Sequence, residues 1–383
     1  MLDVLIQGGT VIDGTGSPGV RADVGIRDGR IADVGQVSDS AARTIDAGGR
    51  VVAPGFIDMH THLDAQVLWE SELTPSCLHG VTTVIGGNCG FAIAPIDESS
   101  ADYVMHMLAA VEGMPPTALE AGLDFKWKSW ADWTSRFEGH TALNCGFLAG
   151  HSTIRRLVMG GAWQQPATEE QITNMAELVD QSVRAGALGF SSSWNNIHAD
   201  HQGNPVPSRF AKPDELVRLA SVLRDKPGTT IGFQAGSQPY FTDEAFNVMA
   251  DMSAAAGGKR LDWNAITVGA GVPEEAIRAR LEGTSKAARA RGGNVYALLV
   301  GVATRAHMSP LTGILYHATP YWSSIFSLPP EERIRAFADP DVRRKLADEL
   351  KEKGDVLRTA GWFDKYSVES VVNPAMKPLE ASG

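Results

Sequence analysis

The sequence has few cysteines, no excess of positive charge and no long apolar run. Its three cysteines are too few and too scattered for a disulfide framework, which favours a reducing compartment. The formal net charge of -11 argues against a nucleic-acid partner, because clustered Lys and Arg bind such partners. No apolar stretch approaches membrane-spanning length, and the first residues lack the basic segment that opens a secretion signal. We therefore expect a cytoplasmic protein that binds neither nucleic acid nor membrane.

Residues 1–50 read as short alternating strands that glycine turns separate. Gly-Gly, Asp-Gly and Gly-Arg steps divide the segments 3–14 and 22–35, which is typical of hairpins. We expect a small antiparallel sheet in a first domain that ends at residue 50. The chain is 383 residues long, so residues 51–383 are left for a larger second domain.

Apolar strand-like runs alternate with helical patterns through the second domain. Strand followed by helix, repeated, predicts an α/β fold with a parallel sheet. Roughly seven such strands favour a (β/α)8 TIM-type barrel whose last strand is missing. After residue 307 the alternation of strand-like runs and helical patterns ends. Residues 331–353 are expected to form a charged surface helix. The strand-like runs are 51–58, 80–90, 142–151, 187–192, 230–235, 261–267 and 294–300, and the helical patterns are 168–185, 213–224, 243–256 and 273–291.

Two histidines, His60 and His62, follow the apolar run 51–58. Because alternate residues of a strand share one face, both imidazoles are expected to point the same way at its C-terminal end. Neutral imidazoles are common zinc ligands, and α/β barrels assemble their active sites at this end of the sheet. The pattern indicates a metal site, and a pair of solvent-facing histidines is the alternative.

The order of these segments resembles the amidohydrolase superfamily. The resemblance rests on the N-terminal strands and on Ala-Pro-Gly-Phe-Ile-Asp at 53–58 before the two histidines, and it extends through most of the chain. It points to the D-aminoacylase branch, the N-acyl-D-amino-acid deacylases, through Gly-Gly-Asn-Cys-Gly at 86–90 and Gly-His-Ser-Thr-Ile-Arg at 150–155. Residues 186–192 also match that branch. The resemblance implies a zinc cofactor and an N-terminal sheet that is half of a β-sandwich.

Cys89 is the third metal ligand that the resemblance implies. In this branch a strand-end cysteine takes the place that a carboxylated lysine holds in most relatives, and residues 187–194 contain no lysine. A thiolate is a good zinc ligand, and zinc holds it deprotonated. The alternative for Cys89 is a buried, inert thiol in a glycine-rich turn.

The chain also departs from the family pattern. The family has histidine ligands on its fifth and sixth strands, where this chain carries Gln234 and Asn264. The family's catalytic aspartate, in a Gly-x-Ser-Asp-type stretch, has no counterpart before Gly383. The catalytic residue is therefore unassigned. We expect one zinc at most, negligible hydrolysis by the chain as given, and an incomplete barrel that self-associates, for example as a homo-oligomer.

Four further side chains are candidates for the site. His151 and Arg155 are assigned to substrate binding, with a hydrogen-bonded structural histidine and a surface arginine as the alternatives. His198 and His201 would form an i, i+3 ligand pair on a helix, but Asn and Gly residues around them favour a loop.

The function predicted from these residues is metal-dependent hydrolysis of a non-peptide C-N bond. The resemblance implies an N-acyl amino acid as the small-molecule substrate, with a carboxylate and a D-amino acid as products. Two alternatives stay open: a catalytically silent relative that binds a metal or a ligand, and an amidohydrolase that acts on a cyclic amide.

Overall fold

A computed structural model describes residues 1–236, 240–267, 273–300 and 319–352. The chain forms two compact units. One comprises residues 1–58 and 75–83, and the other comprises residues 59–74 and the chain from 84 onward. The predicted boundary at residue 50 stays a prediction; the first unit as described extends eight residues beyond it and includes a second segment.

The first unit is built on a five-stranded sheet in which three strands are antiparallel. Its strands are β1 (Leu2–Val11), β2 (Val20–Arg27), β3 (Arg30–Gly35), β4 (Ala41–Asp46) and β5 (Val51–Val52). The order is β3-β2-β1-β4, with β5 also paired to β1. The turn between β2 and β3 is Asp28-Gly29, and both residues have the positive φ that a two-residue hairpin turn requires. The expected antiparallel sheet holds for β1 to β3, but β4 and β5 run parallel to β1.

The run 51–58 was expected to be one strand, and the structure divides it. After β5, residues 53–55 leave the sheet, and β6 (Phe56–Asp58) pairs elsewhere. The interruption follows from Pro54, which has no N-H to donate to a strand ladder. A three-stranded sheet has the order β6-β7-β8, where β7 is Val81–Gly86 and β8 is Asn144–Phe147.

The second unit contains a five-stranded parallel sheet of order β13-β12-β11-β10-β9. The strands are β9 (Ala149–Gly150), β10 (Gly189–Ser193), β11 (Thr230–Gln234), β12 (Arg260–Thr267) and β13 (Asn294–Val300). The helices between them are α4 (His151–Met159), α5 (Glu169–Arg184), α6 (Pro213–Ser221), α7 (Asp243–Ala255) and α8 (Glu274–Arg291). This alternation agrees with the predicted barrel order. Apolar side chains of the sheet, including Phe190, Phe233 and Trp263, are fully buried, as parallel sheets covered by helices require.

Helices α1 (Glu98–Glu112), α2 (Pro116–Gly122) and α3 (Trp130–Thr134) lie between β7 and β8. The last described elements are α9 (Pro320–Phe326), α10 (Pro330–Ala338) and α11 (Pro340–Glu352). The single helix expected over 331–353 is therefore two helices. They divide at Asp339, whose extended backbone is the conformation that a following proline imposes. Among the helices of the described ranges, none is long and apolar enough to cross a bilayer. The missing last strand stays a prediction, because residues 301–318 and 353–383 lie outside the described residues.

Candidate metal centre

Three predicted ligands, His60, His62 and Cys89, lie together in the second unit. Each offers one ligand atom, and these atoms all lie within 4.8 Å of one another. The Cys89 Sγ atom is 3.4 Å from His60 Nε2. The two histidines follow β6, and Cys89 lies in the turn after β7. The fold thus brings two imidazoles and one thiol together from separate parts of the chain.

Backbone contacts fix the histidine segment. Thr61, between the two histidines, donates both its N-H and its hydroxyl to the carbonyl oxygen of Ile85, each at 2.9 Å. The Asn88 side-chain Nδ2 lies 2.9 Å from the Ile85 oxygen, 3.3 Å from the Thr61 oxygen and 3.4 Å from the Met59 oxygen. One amide therefore holds the histidine segment against the end of β7.

The turn that presents Cys89 has an unusual backbone. Gly87 has φ of 68°, and a Cβ at this position would lie 2.0 Å from the Leu148 carbonyl oxygen, so glycine is required there. Cys89 itself has φ of 58°, which is uncommon for a residue other than glycine. Left-handed conformations of this kind cluster at functional sites, where the surrounding structure maintains them.

His62 and Cys89 favour their neutral forms in the absence of a cation. Burial lowers the pKa of His62 well below its usual value, and the neighbouring His60 and His198 lower it further. Burial raises the pKa of the Cys89 thiol, Glu112 adds to the rise, and a hydrogen bond with the Gln234 side chain opposes it. Neutral imidazoles are ligand-competent, while the thiol needs a nearby positive charge to lose its proton.

Two carboxyl groups beside the cluster have no lysine or arginine partner in the described part of the chain. Burial raises the pKa of Asp64 to about 7. Its Oδ2 accepts from the Gly87 N-H at 3.1 Å, while its Oδ1 is buried and has no hydrogen-bond partner among the described residues. Burial and the charge of Asp64 raise the pKa of Glu112 well above its usual value, and Glu112 Oε1 is 3.4 Å from His62 Nδ1. Buried acids without a counter-charge, next to nitrogen and sulfur donors, fit a divalent cation such as zinc.

Sequence reasoning gave no role to Asp64 or Glu112. Asp64 lies two residues after His62, and that spacing was the available signal. The signal for Glu112 is an acidic residue in the last turn of α1, where a basic residue is the favourable choice.

His198 belongs to the surroundings of the cluster, whereas His201 does not. His198 and His201 both lie in the loop after β10, as expected. Asp200 stabilises a turn in this loop by accepting hydrogen bonds from the N-H groups of Gln202 and Asn204. His198 is buried, and burial, with contributions from Arg209 and His60, lowers its pKa to about 3.

The ring of Phe91 lies between His198 and the ligand His62. The Phe91 ring centre is 5.0 Å from that of His198 and 6.4 Å from that of His62. The His201 ring instead packs at 5.1 Å against His106 of α1. The two histidines therefore do not form the i, i+3 ligand pair.

His151 and Arg155 are fully buried in α4 and are paired inside the protein. His151 Nδ1 lies 2.8 Å from Ser192 Oγ, and its Nε2 lies 2.9 Å from Glu215 Oε1. Arg155 pairs with the same Glu215 carboxylate and donates to the carbonyl oxygen of Trp163. Substrate binding by these residues stays a prediction, and the contacts favour the structural alternative, since neither side chain is exposed.

The two departures from the family pattern also lie inside the second unit. Gln234 ends β11, contacts Cys89, and receives the Asn195 side-chain amide at 3.4 Å. Asn264 lies in β12 and is buried. An amide thus lies next to the cluster at the fifth-strand position that the resemblance reserves for a histidine.

Comparison with known proteins decides the family. A protein-family model described as "Amidohydrolase family" matches residues 43–342. The chain belongs to this amidohydrolase family. The match confirms the resemblance. Together with the parallel strands and their helices, it also confirms the α/β barrel-type fold class.

Curated relatives of this amidohydrolase include deacylases. A D-aminoacylase of Alcaligenes xylosoxydans xylosoxydans is 40% identical over 192 residues, which cover 50% of this chain and 37% of that protein. An N-acyl-D-aspartate deacylase of the same organism is 32% identical over 268 residues, or 69% of this chain and 48% of that protein. The chain therefore spans about half or less of the length of these relatives.

Solved structures similar to this amidohydrolase include two deacylases. A D-aminoacylase crystal structure aligns with a TM-score of 0.60 and 29% identity, over 78% of this chain and 58% of that one. An N-acyl-D-glutamate deacylase from Bordetella bronchiseptica, complexed with zinc and a phosphonate inhibitor, aligns with a TM-score of 0.60 and 26% identity. That alignment covers 77% of this chain and 58% of the deacylase.

Proposed function

We propose that this amidohydrolase acts on the amide C-N bond of N-acyl-D-amino acids with zinc held by His60, His62 and Cys89. Turnover by the chain as given would need a general base other than the Gly-x-Ser-Asp aspartate, which residues 1–383 lack. The observation that carries the proposal is the convergence of the three ligand atoms within 4.8 Å. Two nitrogens and one sulfur are a donor set that zinc accepts, and three protein ligands leave a position for water or substrate. The deacylase relatives supply the substrate class.

The chain's own groups prepare the centre for this chemistry. The chemistry that zinc supplies in such a site is Lewis acidity toward the amide carbonyl and acidification of water. Thr61 and Asn88 hold the histidine segment in place, and the Gly87 turn brings the Cys89 thiol to it. Burial raises the pKa of Asp64 and Glu112, and a bound cation nearby would favour the negatively charged form of both groups.

A silent relative that binds metal without turnover is the second candidate. The observation that favours it is Gln234, an amide beside Cys89 where the resemblance places a histidine ligand. Amides are poor zinc ligands, so a site of this kind binds fewer or weaker metals. In either case we infer a cytoplasmic location, which the low cysteine content supports, and a small-molecule partner, which the deacylase relatives support.

The test is an assay of the purified chain with and without added zinc. Release of acetate from N-acetyl-D-amino acids, but not from the L forms, supports the hydrolase if it disappears in His60→Ala. Zinc binding without release from either form supports the silent relative. Ring opening of a hydantoin without deacylation would instead support the cyclic-amide alternative. A chain that binds no zinc overturns the proposal.

A further inference from the structure

Glu112 occupies an unfavourable position for an acidic residue. It is the last residue of α1, directly before Gly113, which ends the helix in a left-handed conformation. The C-terminal end of a helix carries partial negative charge, so a carboxylate there is repelled. The Glu112 side chain is only 17% exposed, and Asp64 acts on it electrostatically as a second acidic group. Within the described ranges, no lysine or arginine forms an ion pair with it.

One contact, between Glu112 and His62, accounts for an acidic residue at this position. Glu112 Oε1 lies 3.4 Å from His62 Nδ1, which is buried and has no hydrogen-bond partner in the described part of the chain. A histidine that ligates a metal through one ring nitrogen usually donates the other N-H to a carboxylate or a carbonyl, which fixes its orientation and tautomer. At 3.4 Å the Glu112 carboxylate needs only a small movement to accept that hydrogen bond.

We propose that Glu112 is the positioning residue of the metal centre. Its carboxyl oxygen accepts a hydrogen bond from the Nδ1-H of His62, which fixes the ring and keeps Nε2 free as the metal donor. The proposal rests on the proposed function, since it requires a metal at His60, His62 and Cys89. It adds a residue that strengthens metal binding by orienting a ligand.

The experiment measures Zn²⁺ affinity and metal-free stability in the same variants. Zinc affinity is obtained by competition with a chromogenic chelator, and thermal unfolding is followed in chelator-treated protein. Glu112→Gln removes the charge and keeps an oxygen acceptor, and Glu112→Ala removes both. Glu98→Gln, in the exposed first turn of the same helix, is the matched control.

The expected result is a loss of zinc affinity of about 10- to 100-fold in Glu112→Ala, with a smaller loss in Glu112→Gln. Metal-free Glu112→Gln should melt at about the wild-type temperature, because the amide keeps the shape and the oxygen acceptor of the carboxyl group. A merely structural role predicts the reverse, a lower melting temperature without zinc and an unchanged zinc affinity.

The outcomes separate this inference from the proposed function. A wild-type chain that binds zinc as tightly as both Glu112 variants overturns the inference and leaves the zinc hydrolase standing. A fall in metal-free melting temperature for Glu112→Gln, with zinc affinity unchanged, overturns it as well. A wild-type chain that binds no zinc overturns the proposed function and, with it, the role of Glu112.

Discussion

The Nε2 atom of His151 lies 2.9 Å from Oε1 of Glu215, and both side chains are buried. The same carboxylate also pairs with the Arg155 guanidinium. Glu215 therefore connects α6 to two residues of α4 inside the second unit. Its pKa is lowered by the hydrogen bonds and charges of His151 and Arg155, which outweigh the opposing effect of burial.

We predict that Glu215→Gln destabilises the fold strongly. The variant leaves the Arg155 charge buried and uncompensated, which typically costs about 3–5 kcal/mol. Chemical denaturation of the variant measures the loss. The neighbouring exposed Asp214, changed to Asn, is the control and should shift stability by less than about 0.5 kcal/mol. Equal stabilities of the two variants would show that Glu215 is not the structural centre of this network.

The second prediction concerns zinc content. We expect about one tightly bound zinc in the wild type, since three protein ligands suffice for one catalytic-type site. Cys89→Ala and His62→Ala should lose most of it in elemental analysis after dialysis. Cys145→Ala is the matched control, because Cys145 is a free cysteine outside the cluster. Full zinc in Cys89→Ala would remove Cys89 from the site.

The third prediction is an acid-side loss of stability from His198. Its folded-state pKa of about 3 lies below the ordinary value of 6.5, so between those values the unfolded chain binds a proton that the folded chain does not. This contribution is therefore fully present above pH 6.5 and is lost as the pH falls. In His198→Gln the free energy of unfolding should fall less steeply with decreasing pH, by up to about 1.4 kcal/mol per pH unit in that window. Parallel stability curves for wild type and variant between pH 7 and 4.5 would contradict the assignment.

The fourth prediction has the opposite sign and concerns Asp64. Its folded-state pKa of about 7 lies above the ordinary value of 3.8, so the folded chain holds the proton more tightly than the unfolded one. Stability from this group is present below pH 3.8 and is lost as the pH rises toward 7. In chelator-treated protein, Asp64→Asn should gain stability relative to the wild type across this window, by up to about 4 kcal/mol in the free energy of unfolding. Asp3→Asn, at an exposed position, is the control. No gain for Asp64→Asn would mean that the carboxyl is solvated.

The sequence allowed the regular parts of the fold to be predicted. Helices α5 to α8 begin and end within a few residues of the expected ranges. The structure shows that Thr168 and Thr242 cap two of them and that Pro213 and Pro273 lie at the starts of the others. Strand β13 was expected at 294–300 and is found there. The division of 51–58 was missed because an apolar run outweighed the effect of Pro54, and the parallel pairing of β4 depends on contacts that local patterns do not contain.

The metal ligands could be predicted, but their surroundings could not. The spacing of His60 and His62 after an apolar run is visible in the sequence, and the family resemblance added Cys89 as the third ligand. Glu112 and His198 reach the cluster from a helix end and a loop, so only the folded chain brings them close. Glu215 shows the same limit, because its pairing with Arg155 spans 60 residues.

The backbone at Cys89 determines which donor atoms this position can present to a metal. Its φ of 58° lies in a region that Asn, Asp and His enter more readily than most residues and that β-branched residues avoid. Sulfur can therefore be exchanged for oxygen or nitrogen at this point without rebuilding the turn. Because a carboxylate at this position would leave two imidazoles and one oxygen donor, the set typical of non-haem iron(II) sites, one substitution is enough to widen the choice of metals beyond zinc.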